Sequence, residues 1–337
     1  MMKEAITAVV EGNDLTRTQA GEVMNEMLSG EATHAQIAAF LTGMRMKGES
    51  IDEIVGFTKA LSGKADHISP ESKHYVDLVG TGGDRTFTFN ISTTSAFVVS
   101  AAGFPVAKHG NRSISSKSGA GDVLEALGVN IMADPDTVTK NIDEVGIGFM
   151  FAQTFNKSMK HVGQVRNEMG VRTVFNILGP MSNPSDAKYM VVGVYDASLT
   201  EVIATALSEV GVERAFVMSG EDHMDEFTTT GITYVSELKN GEVTNYTVTP
   251  EQFGLQRATL EELQGGDGKV NAQITRDILQ GKETGAKRDI VLLNAGATLY
   301  IGGLADSIEA GIALAQETID SGKAYAKLEE LVQASNV

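Results

Sequence analysis

Three stretches of the 337-residue chain combine residue types suited to holding a diphosphate. The first is Val79-Gly80-Thr81-Gly82-Gly83-Asp84, which follows an apolar run and precedes a helical one. Glycines at such a turn let the backbone reverse sharply and bring several N–H groups to one anion, with the positive end of the next helix behind them. The spacing is neither Gly-x-Gly-x-x-Gly nor Gly-x-x-x-x-Gly-Lys-Ser/Thr, so dinucleotide and P-loop readings lose support. Nearby, Asn90-Ile91-Ser92-Thr93-Thr94 places one amide and three hydroxyls at the mouth of the helix, more than an N-cap needs.

The second stretch runs from Lys108 to Asp122. Between 108 and 121 it holds two lysines and one arginine without a carboxylate, in a chain whose net charge is −17. Arg112 offers a planar fork to phosphate oxygens, the lysines offer point charges and the serines offer hydroxyl donors. His109 alone is a weaker signal, because a lone histidine is more often a structural hydrogen bonder, and none of the six histidines has zinc-ligand spacing to another. The third stretch, Gly220 to Thr228, sets four carboxylates within six residues. They repel unless solvated or neutralised by a cation, and Mg²⁺ suits them because it is often shared between carboxylates and substrate phosphates. Together the three stretches describe a site for a Mg²⁺-bound diphosphate at the C-terminal ends of parallel strands.

The surrounding pattern supplies such strands. Up to about residue 64, capping boxes at Thr16-Arg17-Thr18-Gln19, Thr33-His34-Ala35-Gln36 and Ser50-Ile51-Asp52-Glu53 open short amphipathic helices, two of them closed by Gly30 and Gly48. Beyond Lys64, β-rich runs at 75–79, 106–108, 148–152, 190–195 and 215–218 alternate with helical stretches at 92–102, 122–127, 200–210 and 288–300. Strands spaced by helices predict βαβ units and a mostly parallel sheet. Residues 161–175 read as helical again and end in the breaker cluster Gly179-Pro180-Met181-Ser182-Asn183-Pro184.

Composition narrows the function classes. A hydrophobic fraction of 42% with 21% charged residues suits a globular chain, and the net negative charge disfavours a general nucleic-acid binder. The absence of cysteine excludes a disulfide framework and thiol chemistry. No run reaches the roughly 18 apolar residues of a membrane span and the opening segment is a poor signal peptide, so the cytoplasm is the expected compartment. Glycine, 36 of 337 residues, is the one excess, and it concentrates attention on the loops above.

On Gly80-Thr81-Gly82-Gly83-Asp84, Asn90-Ile91-Ser92-Thr93, the run from Lys108 to Gly128 and Asp225-Glu226, in that order, the chain resembles the anthranilate phosphoribosyltransferase family over essentially its whole length. Weaker echoes are Val165-Arg166, Arg172-Thr173-Val174-Phe175-Asn176 and Arg288-Asp289 through Asn294-Ala295-Gly296. The resemblance implies an α/β fold of the nucleoside phosphorylase and phosphoribosyltransferase type, with a small α-helical domain and a larger α/β domain around a mostly parallel sheet. The small domain is expected at 1–65 with about 160–182 packed against it, and the large one at 66–159 and 183–337. It implies Mg²⁺-dependent transfer of the phosphoribosyl group of phosphoribosyl pyrophosphate to anthranilate, in tryptophan biosynthesis, by a homodimer joined through the small domain.

Carried over by position, Gly80, Gly83, Asp84, Thr88, Asn90, Ile91, Ser92, Thr93, Lys108, His109, Gly110, Asn111, Arg112, Ser113, Ile114, Ser115, Ser116 and Ala120 would hold phosphoribosyl pyrophosphate. Gly80, Asn111 and Arg166 would face anthranilate, and Ser92, Asp225 and Glu226 would bind Mg²⁺. No residue is assigned as general acid or base. The chain departs from the family pattern at Ala120, usually Ser, at Asn156, usually His, and at Gln164, usually Pro. The last two fall around the acceptor and motivate an alternative, a phosphoribosyltransferase for another aromatic acid or amine. A pyrimidine nucleoside phosphorylase-like enzyme would have no use for Asp225-Glu226, and a non-catalytic paralogue that binds nucleic acid would need a basic face.

Overall fold

The computed structural model describes residues 1–84, 86–113 and 117–337. The chain opens with four helices, α1 (Met2–Val10), α2 (Arg17–Leu28), α3 (His34–Lys47) and α4 (Ile51–Ser62). The three expected capping boxes start α2, α3 and α4: Thr16, Thr33 and Ser50 each accept the N–H of the third helical residue, whose side chain bonds back. Gly48 closes α3, whereas α2 ends at Ser29, one residue before Gly30.

A seven-stranded sheet follows: β1 (Val76–Gly80), β2 (Val106–Gly110), β3 (Ile147–Phe151), β4 (Tyr189–Gly193), β5 (Arg214–Gly220), β6 (Thr233–Lys239) and β7 (Glu242–Val248), in the spatial order β3-β2-β1-β4-β5-β6-β7. The first five strands are parallel, and β6 and β7 add an antiparallel hairpin turned at Asn240-Gly241. Strand order reverses between β1 and β4, the kind of crevice where open α/β sheets bind ligands. β1 pairs with β4 through five residues, from Val76↔Tyr189 to Gly80↔Gly193, but with β2 only at Val76↔Val106.

Both sheet faces are buried. In β4, Met190 and Val192 join a core shared with α1 to α4, while Val191 joins one built on α5 (Ile91–Ala101), α6 (Ala120–Leu127) and the helix Ala286–Ile301. The helical stretch expected at 161–175 is two helices, Lys160–Met169 and Phe175–Met181; the second runs into the breaker cluster and contains Pro180. The first contacts α2 and α3, the second α4, so the chain returns to its opening helices before β4. The hairpin and the helices Gly268–Leu279, Ile308–Asp320 and Lys323–Ser335 go beyond the elements expected from sequence. Among the described residues no helix is long and apolar enough to cross a membrane.

Candidate active site

The loop after β5 is pressed onto the ends of β1 and β4. A Cβ on Gly193 would lie 1.6 Å from the Asp225 main-chain oxygen, and one on Gly80 would lie 2.2 Å from Asp225 Oδ2, so only glycine allows this approach. The Gly82 N–H donates to Asp225 Oδ2 at 2.7 Å, and the Ser92 N–H, in the first turn of α5, donates to Glu226 Oε1 at 3.0 Å. Asn294 anchors the loop from behind, accepting the Phe227 N–H at 3.0 Å and donating to the Phe227 carbonyl at 2.9 Å. Of the other carboxylates in the loop, Asp222 accepts from Met224 N–H and the Thr228 and Thr230 hydroxyls, and Glu221 lies against Gly231. The expected convergence of the Gly-rich turn, the start of α5 and Asp225-Glu226 is therefore present.

Burial and the nearby charge of Asp84 push the Asp225 carboxyl up to about 7. Burial and Asp225 push Glu226 up to about 8. The opposing cation is Lys108, itself buried, whose ammonium donates to the Leu78 carbonyl and stands 3.5 Å from Ser92 Oγ. Burial lowers its pKa against the pull of Asp77, Glu226 and Asp225. Among the described residues no three metal-ligating side chains stand together as a preformed cage, but Asp225, Glu226 and the Ser92 hydroxyl offer only oxygen donors with too little positive charge beside them, a chemistry that fits a hard divalent cation such as Mg²⁺. Asp84 also accepts from the Thr86 hydroxyl at 2.5 Å.

The second stretch forms the end of β2 and the approach to α6. Asp122, in the first turn of α6, ties that approach together by accepting the N–H groups of Ser113 and Gly119 at 2.9 and 2.8 Å. Arg112, expected to offer its fork to phosphate oxygens, here forks Glu125 at 2.8 and 2.8 Å and reaches Asp122 at 3.3 Å. Asp122 and Glu125 lie three apart on one helix face, where they complement a nearby cation. That pair, just past the carboxylate-free run, is the sequence signal for this arrangement. Ala120 opens α6, against Gly110. Asn90 links this approach to α5, donating to the Ser118 carbonyl at 3.2 Å and accepting from Asn271 at 2.9 Å. Ile91 and Thr93 are buried in the first turn of α5, and Thr88 makes a lone β-bridge with Gln264. Ile114, Ser115 and Ser116 lie outside the described residues.

His109 faces away from the anion side. Its Nε2 meets the Asn156 amide nitrogen at 3.2 Å, and burial holds its pKa down at about 4, so the ring is neutral. Asp77, which carries no local signal in the sequence, accepts the His109 N–H at 3.1 Å, and burial raises it to about 6. Asn111 accepts from the Arg112 N–H at 2.8 Å and, at 3.4 Å, from Gln153 just after β3. Arg166, in the helix Lys160–Met169, stands over the Phe175 ring at 5.2 Å, and among the described residues no carboxylate pairs with it. Burial lowers its pKa. Gln164 is turned to Glu168 at 2.8 Å. Around this segment Thr154 Oγ1, Asn156 Oδ1, Ser158 Oγ and Thr173 Oγ1 are buried without a hydrogen-bond partner. Arg172, also unassigned from sequence, stacks on Tyr195 at 4.0 Å and donates to the Gly83 carbonyl, tying this segment to the Gly-rich turn.

Comparison with known proteins agrees with this geometry. Residues 72–325 match the α/β domain of a glycosyl transferase family, and residues 3–65 match that family's helical bundle domain. An anthranilate phosphoribosyltransferase from Acetivibrio thermocellus is 54% identical, covering 100% of this chain and 97% of its own. The Methanobrevibacter smithii enzyme of the same name is 48% identical with 100% of both chains covered. The crystal structure of the Thermus thermophilus anthranilate phosphoribosyltransferase superposes with a TM-score of 0.94 at 41% identity, over 99% of each chain. The Saccharomyces cerevisiae enzyme, solved with PRPP and Mg, gives 0.92 at 27% identity over 99% of this chain and 98% of that one.

Proposed function

The chain belongs to the anthranilate phosphoribosyltransferase family, and from that premise we propose that it transfers the 5-phosphoribosyl group of phosphoribosyl pyrophosphate to the amine of anthranilate. The products are N-(5-phosphoribosyl)anthranilate and diphosphate, and the step belongs to tryptophan biosynthesis. The observation that carries the reading is the junction of the Gly-rich turn, the first turn of α5 and the half-buried Asp225-Glu226 pair above Lys108.

Departure of diphosphate leaves oxocarbenium character on the ribose, so catalysis is a matter of holding developing charge and placing the amine. Lys108, the turn's N–H groups and the positive end of α5 face the leaving group. Mg²⁺, held when bound by Asp225, Glu226 and the Ser92 hydroxyl, supplies further neutralisation of the diphosphate. Arg166 takes the anthranilate carboxylate, since a half-buried guanidinium without a carboxylate partner is a binding site for one. Asn111 and Gly80 complete the acceptor wall, and the residues from Gly80 to Thr93 and from Lys108 to Ala120 form the donor side. His109 is not the base for the amine proton: its free lone pair already accepts from Asn156 and its basicity is low.

The same reading joins residues 1–65 and 160–182 in a small helical domain and gives 66–159 and 183–337 to the catalytic one. Two copies meet through the small domain, in the cytoplasm; support for that pairing comes from Val10 and Met46, left 69% and 84% exposed on the opening helices. The test is the loss of anthranilate fluorescence on mixing the protein with phosphoribosyl pyrophosphate and Mg²⁺, with and without EDTA. Turnover that EDTA stops is the expected result. Tight donor binding without anthranilate turnover would favour another aromatic acid, an outcome that Asn156 and its unpartnered neighbours would explain. Failure to bind the donor would overturn the reading.

A further inference from the structure

β2 leaves the β1 ladder after one pair, and side chains fill the gap that follows. The His109 N–H donates to Asp77 Oδ1 at 3.1 Å, the Ala107 carbonyl accepts from Asn183 Nδ2 at 2.9 Å, and the Leu78 carbonyl accepts from the Lys108 ammonium. The same Asn183 nitrogen donates to Asp77 Oδ2 at 2.7 Å, while Asn183 Oδ1 accepts from the Ser185 N–H and hydroxyl at 2.8 and 2.6 Å. One carboxylate and one amide thus grip the main chain on both sides of Lys108. All three side chains are buried.

Two parallel strands need none of this, because a continued ladder would satisfy the same main-chain groups without burying a carboxylate and an ammonium. What the substitution achieves is placement. With the strands held apart, the Lys108 side chain passes to the Leu78 carbonyl and ends 3.5 Å from Ser92 Oγ, on the side where Asp225 and Glu226 arrive. Asn183 comes from the breaker cluster after the helix Phe175–Met181, so the return from the helical domain supplies half of the grip.

We infer that Asp77 and Asn183 are positioning residues for the phosphoribosyl donor: a clamp that keeps β2 off β1 and sets the Lys108 ammonium beneath the diphosphate. The inference rests on the transfer reading above. Neither residue touches the substrate; they act through Lys108, and their effect falls on the donor rather than on the aromatic acid.

The experiment compares Asp77→Asn with Asn183→Ala and with Asn183→Asp, a near-isostere that cannot donate to the Ala107 carbonyl. Each purified variant is checked by circular dichroism and thermal midpoint, and steady-state constants are measured for both substrates. Asp77→Asn is expected to lower kcat/KM for phosphoribosyl pyrophosphate by at least about thirtyfold while the KM for anthranilate moves less than about twofold. Asn183→Ala should show the same donor-selective loss even if Asp77→Asn fails to fold, and Asn183→Asp should lose at least as much, because the donor to the Ala107 carbonyl is gone. A folded variant with donor constants like the unmodified protein, or equal losses on both substrates, would overturn the clamp. No turnover by the unmodified protein would overturn the transfer reading instead.

Discussion

At the ends of β1 and β4 the polar side chains are mostly engaged within the chain itself: Asp225 on Gly82, Glu226 on Ser92, Asp84 on Thr86, Asn294 on Phe227. Across the crevice, between 154 and 173, four buried oxygens have no partner among the described residues, and Arg166 stands over the face of Phe175 without a carboxylate there. At the ends of β1 and β5 and after the Asp225-Glu226 loop, Thr81 Oγ1, Ser219 Oγ and Thr229 Oγ1 are likewise without a partner among the described residues, but no cation stands unpaired beside them as Arg166 does. Buried polar groups are expensive to leave unmade, so a cluster of them marks a surface completed by something else. On the transfer reading proposed above, the donor half is built in advance around a surplus of negative charge, and the acceptor half offers Arg166 to an anion.

The largest expected effect tests the donor half. Asp225→Asn with Glu226→Gln should cut turnover by about a thousandfold or more while leaving the fold intact, since it replaces the cation's anionic carboxylate ligands with neutral amides. Steady-state assays across a Mg²⁺ titration give the answer, and near-normal turnover would end the metal assignment. On the acceptor side, Arg166→Ala should lower kcat/KM for anthranilate about a hundredfold, or about 3 kcal/mol, with donor affinity within about threefold. Equal losses on both substrates would erase the division between the halves.

The smallest effect is one of pH. In the folded chain Asp225 and Glu226 keep their protons up to about 7 and 8, whereas in the unfolded chain both have lost them by about pH 5. Between those limits the folded state binds more protons, so metal-free stability falls as pH rises. The thermal midpoint without metal should therefore be lower at about pH 8.5 than at about 6.5, by a few degrees, and added Mg²⁺ should raise it more at the higher pH. A midpoint independent of pH would mean that the two carboxyls are better solvated than their surroundings imply.

The donor half is readable in the residues because its parts are local. Gly80 to Asp84, the start of α5 and Asp225-Glu226 each announce themselves within a few positions, and the capping boxes mark three helix starts. What stays hidden in the sequence depends on residues far apart. Asp77 and Asn183 are 106 positions from each other, and Asn294 lies 67 beyond Phe227. The partners of Arg112 are missed because charge summed along the loop stops short of Asp122 and Glu125, which pair with it from the next helix. The hairpin β6–β7 has a local signal in Asn240-Gly241 that the alternating helix and strand pattern overshadows.

The contact between Gly193 and the Asp225 main chain bears on how this sequence can change over generations. At 1.6 Å there is no room for even a methyl group, so Gly193 is closed to all other amino acids although it bears no side-chain functional group. A library of random codons at that position should yield survivors encoding glycine alone under selection for prototrophy, whereas Gly82, with open space where a side chain would point, has only its backbone angle to defend. Inheritance at this site is thus policed as strictly through an absent atom as through the carboxylates themselves.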